Sequence, residues 1–380
     1  MSGVGLHVVM FVTNPVVYDP RVEKEADLLA AEGHDVTVLA WDRAGTAPGR
    51  EQRGSYAIER FGPLAPFGGG LRSLMHFRQF WMRAAARAVE LEPDVVHCHD
   101  LDTASAGLRV KRKTTRSARL VLDFHELYRE SRMVPRRGIA GMLARAAVDR
   151  LERDAVAAAS LVIVSVPGMV ERYERMGTHT IVVENAPDTR RFRPRSGPRP
   201  ERPFTFCYLG QKRYLESLKL LIDAVGVQPG TAALIAGGGT AAAEVAAYAR
   251  GRERVEVLGA FSYVEAPALY ERSDAVYAVY DARVGNIRVA WPVKVMEGMA
   301  CGLPVIVNAG TMIGDYVTEQ DCGLAVDGAD ATAVADAIAR LAGDPASSAA
   351  MGARGRALVE AGLSWEVVSA RLVEAYRHLG

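Results

Sequence analysis

The sequence predicts an α/β protein of two Rossmann-like domains, each a parallel sheet covered by helices, the two facing one another across a cleft. Three observations lead there. The chain has 380 residues, more than one ordinary domain of roughly 100–200 residues. Short apolar runs alternate with longer helical stretches, the pattern of parallel strands buried on both faces. A proline- and arginine-rich stretch at mid-chain divides that alternation into two similar series.

The first series opens with a strand over Leu6 to Val12, a helix from Arg21 to Glu32 that Gly33 ends, and a strand over Asp35 to Leu39. Further strands end at Val95 to His97 and run over Leu120 to Phe124 and Leu161 to Ser165. This is an N-terminal domain over 1–187. The periodicity stops in APDTRRFRPRSGPRPERP, which makes 188–203 a linker. The second series covers 204–363, with strands over Phe204 to Leu209, Ala233 to Ala236, Val255 to Leu258, Ala275 to Val279, Val305 to Val307 and Gly323 to Val326. The last stretch, 364–380, is an amphipathic helix expected to complete the first domain.

Composition narrows the function. Apolar residues make up 49% and charged residues 24%, and the net charge is +1, so no overall field recommends nucleic acid as a partner. The basic run Arg109, Lys111, Arg112, Lys113, Arg116 and Arg119 reads as a solvated helix end and loop. Four scattered cysteines form neither a zinc motif nor a disulfide framework, which fits the cytoplasm. The N-terminus lacks the order of a signal peptide, and no apolar run approaches the roughly 20 residues that span a bilayer. One segment, residues 71–87, mixes Leu71, Leu74, Met75, Phe77, Phe80 and Trp81 with Arg72, Arg78, Arg83 and Arg87. It reads either as a helix lying at the inner membrane face or as one packed on the first sheet. Arginine outnumbers lysine 40 to 6, which points to a G+C-rich bacterial genome.

Ligands of open parallel sheets bind beyond the carboxyl ends of the strands, beside helix N-termini. Residues just after strands are therefore the candidates. In the first domain Asp19 and Pro20 suit a helix start, and Arg21 beside it suits an anion. The segment DVVHCHD sets His97, His99 and Asp100 at a strand end, without the third spaced ligand that a metal site needs. VLDFHELYRES places Asp123, His125 and Glu126 at the next strand end, with His125 between carboxylates and suited to polar contact with a substrate.

In the second domain Gly210 allows close backbone approach, and Lys212 and Arg213 supply charge for a phosphate. Gly237, Gly239 and Ala242 satisfy the G-x-G-x-x-A pattern, but after the second strand of their domain rather than the first. The expected reading is a tight turn near the ligand. In NIRVAWPVKVMEGMACGLPVIVNAGT, Pro292, Lys294 and Glu297 fall at a helix start that favours an anion, with Glu297 as cap or as acceptor for ligand hydroxyls.

With these segments in their order, the chain resembles the retaining glycosyltransferases of family 4, which have the GT-B fold. The resemblance runs through DPRVEKEADLLAAEGHDVTVL, DVVHCHD, DFHEL, ENAPDTRRFRP, CYLGQKRY, LIAGGG, VLG, PVKVMEGMACGLPVIV and SWEVVSARLVEAYRHL. It implies that Glu297 binds the ribose of a nucleotide donor, that Lys212 and Arg213 face its diphosphate, that His125 sits by the transferred sugar, and that the base lies near the loop after Gly259. It places the acceptor on the first domain, with Asp19, Arg21, His99, Asp100 and Glu126 as residues of that side. Two positions depart from the family pattern: Val289 stands where many members have the first of two glutamates, and Glu216 where a basic residue often begins a helix. Lys294 resembles the P-x-K-x-x-E variant of the donor motif.

The resemblance implies sugar transfer from a nucleoside diphosphate sugar, UDP-linked before GDP-linked, to an acceptor hydroxyl with retention. It implies neither a metal nor a cofactor beyond that substrate. The acceptor is a saccharide, a lipid-linked saccharide or a small specialised metabolite. The competing readings are a catalytically silent homologue, motivated by Val289 and Glu216, and an NAD-dependent oxidoreductase, motivated by Gly237 to Ala242.

Overall fold

A computed structural model of the chain describes residues 5–17, 19–65, 71–114, 117–131, 134, 138–281 and 285–380, of which 71–73, 130, 140 and 285–286 are described in backbone only. Arg116 and the side chains of Leu71 and Arg72 thus lie outside the described residues. The chain divides into two compact units, residues 1–183 with 369–380, and residues 184–368.

The first unit is built on β1 (His7–Val12), β2 (Asp35–Trp41), β3 (Arg50–Arg53), β4 (Tyr56–Phe61), β5 (Val95–His99), β6 (Arg119–Phe124), β7 (Leu161–Val164) and β8 (Thr180–Val182). They form one sheet in the order β3-β4-β2-β1-β5-β6-β7-β8. Every pairing is parallel except that of β3 with β4. The central strands are largely apolar because helices cover both faces; in β1, Val8 to Phe11 are fully buried. Its helices are α1 (Pro20–Ala31), α2 (Leu71–Leu91), α3 (Leu101–Lys113), α4 (Gly138–Ala158) and the short α5 (Val170–Glu174).

The hairpin β3–β4 was not expected from the sequence. YAIERF alternates buried with half-exposed positions and REQR exposed with half-exposed ones, and their charges are held at the sheet edge. Arg60 donates to Glu51 at 2.7 Å, and Arg87 of α2 donates to Glu59 at 2.8 Å.

The second unit carries β9 (Phe204–Leu209), β10 (Thr231–Ala236), β11 (Val255–Leu258), β12 (Ala275–Ala278), β13 (Val305–Asn308) and β14 (Gly323–Val326), all parallel, in the order β11-β10-β9-β12-β13-β14. This is the doubly wound order, whose ligand crevice lies where the winding reverses, here between β9 and β12. Around it lie α6 (Leu215–Val227), α7 (Ala242–Ala249), α8 (Ala266–Glu271), α9 (Gly285–Val289), α10 (Val293–Ala300), α11 (Met312–Glu319), α12 (Ala331–Gly343) and α13 (Pro345–Leu358), while α14 (Trp365–Arg377) begins in this unit and from Ser369 onward belongs to the first.

The segment 188–203, read as a linker, belongs to the second unit. Phe192 is fully buried against Tyr263 and Tyr270. Arg195, Arg199 and Arg202 converge on Asp274 at 3.3, 3.2 and 2.6 Å. Arginines that look like a solvated tether thus neutralise one acid of the body. All four cysteines are free and buried. Among the described residues no helix is long and apolar enough to cross a membrane.

Candidate functional site

In the first unit the candidate residues gather at the carboxyl ends of β1, β5 and β6, and Asp123 is their hub. Arg21, on the first turn of α1, donates from Nε and Nη2 to the two Asp123 oxygens at 2.7 and 2.6 Å, and from Nη1 to the Val183 carbonyl at 2.7 Å. Asp123 Oδ2 also meets His125 Nε2 at 2.8 Å and His99 Nδ1 at 3.1 Å. Burial works against the Asp123 charge, but Arg21 and His125 outweigh it and hold the carboxylate well below its ordinary pKa.

Arg21 was expected to offer its guanidinium to an anion; instead Asp123 occupies it, and only 6% of the residue is exposed. Asp19 caps α1, accepting from Val22 N at 3.2 Å and from Asn14 Nδ2 at 2.8 Å. The second carboxylate beside His125 is Asp100 rather than Glu126. Asp100 accepts from the His125 amide at 2.9 Å and lies 3.3 Å from its Nδ1. It does so with φ at 62°, an unusual conformation for a non-glycine residue. Burial opposes the imidazolium, but Asp100 and Asp123 together raise the His125 pKa to about 10. His125 is therefore a fixed cation with both ring nitrogens engaged and 22% of its side chain exposed. Glu126 is half-buried beside it.

Beneath this lies a second layer in which His97 meets two partners that the strand-end motifs did not reveal, Tyr376 and Glu25. His97 donates to or accepts from the Tyr376 hydroxyl at 2.7 Å and stacks on His99 at 4.5 Å. Glu25 Oε1 is 3.2 Å from Arg21 Nε, and Glu25 Oε2 is 3.6 Å from His97 Nε2. Burial and the neighbouring Asp123 raise the Glu25 pKa, and burial lowers that of His97. Glu25, His97, His99 and Asp123 offer ligand-type atoms within 4.8 Å of one another, so the partners that spacing lacked come from α1 and β6. Arg21 already sits among them and supplies the positive charge a metal ion would bring.

In the second unit Gly210, Gly237 and Gly239 have φ of 127°, 135° and 125°. A Cβ on Gly237 would lie 1.9 Å from the Gly210 carbonyl oxygen, and one on Gly239 2.6 Å from the Lys212 backbone. Lys212 N donates to Gly238 O, and Gly237 N to the carbonyl of Gly259 at 2.8 Å. These glycines serve the interlock of the loops after β9, β10 and β11. The G-x-G-x-x-A match is thereby explained by packing, and the dinucleotide reading loses the feature that motivated it.

Lys212 was expected to face a phosphate. It is only 2% exposed, and its ammonium donates to the Leu258 carbonyl at 2.6 Å; Arg213 next to it is exposed. The charge at the β9–β12 crevice comes from Lys294 on the first turn of α10. Its Nζ lies 3.3 Å from the centroid of the Tyr208 ring and 5.4 Å from that of Tyr280. A Cβ on Gly210 would meet it at 3.4 Å. Burial lowers the Lys294 pKa to about 7. Pro292 begins α10 without a side-chain cap.

Three residues along, Glu297 is buried and accepts from the Tyr270 hydroxyl at 2.9 Å. Asn308 joins β13 to the end of β12 through two bonds with the Tyr280 backbone, at 2.8 and 3.0 Å. The tyrosines and Asn308 were missed because nothing in a lone Tyr or Asn announces a site. Val289 ends the short α9, and Glu216 is an exposed side chain paired with Lys219 at 2.9 Å.

Residues 18–186 match a family model described as a glycosyl transferase 4-like domain, and residues 189–358 one described as glycosyl transferases group 1. The GDP-mannose-dependent monoacylated alpha-(1-6)-phosphatidylinositol monomannoside mannosyltransferase of Corynebacterium glutamicum is 31% identical over 157 residues, 41% of each chain. The D-inositol 3-phosphate glycosyltransferase of Salinispora tropica is 28% identical over 55% of this chain and 48% of its own. The chain thus spans about half the length of these curated relatives. Two solved structures share the fold across 98% of this chain and 99% of theirs: sucrose-phosphate synthase from Thermosynechococcus elongatus, with a TM-score of 0.81 at 19% identity, and Anabaena HepE in complex with UDP and glucose, with 0.71 at 16%. With one family model matched in each half and a doubly wound sheet in the second, the chain belongs to the glycosyltransferases of family 4 and has the GT-B fold.

Proposed function

We propose that this protein transfers a sugar from a nucleoside diphosphate sugar, UDP- or GDP-linked, to an acceptor hydroxyl with retention of configuration and without a metal ion. The observation that carries the reading is Lys294: an ammonium at the winding reversal of a doubly wound sheet, beside the bare backbone of Gly210 and the start of α10. Such a group stabilises a leaving diphosphate, the largest electrostatic demand of the reaction. Arg213 adds charge from the same loop, and Lys212 positions that loop through Leu258. Glu297, oriented by Tyr270, receives the ribose hydroxyls.

On the first unit His125 serves as a fixed imidazolium facing the transferred sugar, not as a base, because Asp100 and Asp123 keep it protonated. A carboxylate nucleophile of the glycosidase kind is not part of the scheme. Two similar proteins support the donor class: the Corynebacterium glutamicum relative is GDP-mannose-dependent, and Anabaena HepE, of the same fold, is seen in complex with UDP and glucose. The acceptor is a saccharide, free or lipid-linked, or a small metabolite.

The test is release of nucleoside diphosphate from a panel of UDP- and GDP-sugars, with a chelator present. The expected result is turnover of one donor, lowered about 100-fold or more in Lys294→Met and Glu297→Ala. Undiminished turnover in both variants overturns the site, and turnover abolished by the chelator overturns the metal-free mechanism.

A further inference from the structure

We propose that the first unit docks on an anionic lipid surface through two helix ends that overhang its sheet, and that α4 is as much a part of this surface as α2. The helices α2, α3 and α4 follow β4, β5 and β6 and lie side by side, α3 packed between the other two. Each therefore starts at the carboxyl edge of the sheet. They differ in length: α3 has 13 residues, α2 and α4 have 21 each.

Trp81 donates to the carbonyl of Asp102 at the start of α3, which sets the middle of α2 level with that start. On the other side Lys111 of α3 donates to the Ala158 carbonyl, and Asp149 is held at 2.9 Å by Arg129, just past the end of β6. Roughly the first ten residues of α2 and of α4 thus project beyond α3, about 15 Å at the helical rise.

Those ends are where large apolar side chains face solvent. Leu74 and Met75 on α2 and Ile139, Met142 and Leu143 on α4 are 57 to 75% exposed, and Met82 follows about two turns after Met75. A soluble surface seldom gathers apolar groups this way without a partner. The charge of the same turns selects that partner. The projecting turns hold no acidic residue, the first being Glu90 in α2 and Asp149 in α4, whereas Arg78 is exposed on α2 and Arg145 is half-buried on α4, with exposed Arg83 just beyond the projecting end of α2. Apolar groups interleaved with arginine, without acids, match an anionic headgroup layer. The two ends stand roughly 16–20 Å apart, twice the usual spacing of packed helices, a separation that a fluid lipid surface accommodates.

The test is flotation of the full chain with vesicles of phosphatidylglycerol and phosphatidylcholine, against vesicles of phosphatidylcholine alone. No nucleotide is present, so failure here leaves the transferase reading standing, and the reverse. The expected result is binding to the anionic vesicles, weakened by salt. It falls about tenfold in the pair Leu74→Ser with Met75→Ser and likewise in the pair Met142→Ser with Leu143→Ser. Both pairs keep the parent melting temperature, because the residues are exposed. Absence of flotation, or flotation unchanged in the α4 pair, overturns the proposal. So does a concentration-dependent dimer that these variants abolish, which would assign the surface to a second copy of the chain.

Discussion

Arg21 and Asp123 are 102 residues apart in sequence and make the shortest charged contacts of the first site. Their types and their places beside a helix start and a strand end are legible; their pairing is not, because nothing local selects one acid among 45 acidic residues. The same limit hid Glu25 beneath His97, and it misdirected Lys212, since a sequence shows a charge but not where its stem points.

Buried pairs cost heavily when one partner is removed. Asp123→Asn, which leaves the Arg21 and His125 charges unbalanced, is therefore expected to destabilise the protein by about 3 kcal/mol or more, read by denaturant unfolding; a change within experimental error would mean the pair is not buried as described.

Lys294 gives a prediction with a pH sign. Its pKa is depressed from an ordinary 10.5 to about 7, so its charge costs the empty fold stability as pH falls from the ordinary value to about 7, and by a constant amount below. A bound diphosphate favours the charged form and raises the pKa again. Binding at pH 8 is expected to take up nearly one proton, binding at pH 6 almost none, and Lys294→Met none at either. Calorimetry in buffers of different ionisation enthalpy reads this directly; equal uptake at both pH values would contradict it.

At the scale of elements, the parallel core was legible because strands buried on both faces are written as apolar runs. Phe204–Leu209, Val255–Leu258 and Gly323–Val326 are observed at their expected bounds. The edge hairpin β3–β4 was not, since YAIERF buries one face only, REQR buries neither, and both hide their period behind charges. Gly237 and Gly239 were legible as a turn but not as an interlock of three loops. Gly237→Ala meets both a positive φ and the Gly210 carbonyl. It is expected to cost about 2 kcal/mol or more and, by shifting Gly210, to weaken nucleotide binding. A variant as stable as the parent would show that the loops are not interlocked.

For the whole molecule, the repeat of one architecture in two units was read from the recurrence of its pattern, and the family from motifs in series. The choice of ligand rests on the second sheet, whose winding reverses beside Lys294 and Gly210. The most direct measurement is calorimetric titration of the protein with UDP, GDP and NAD, each without metal, with Glu297→Ala as control. The account predicts binding of one nucleoside diphosphate, weakened in the variant, and no binding of NAD. Binding of NAD alone, or of none of the three, would contradict it.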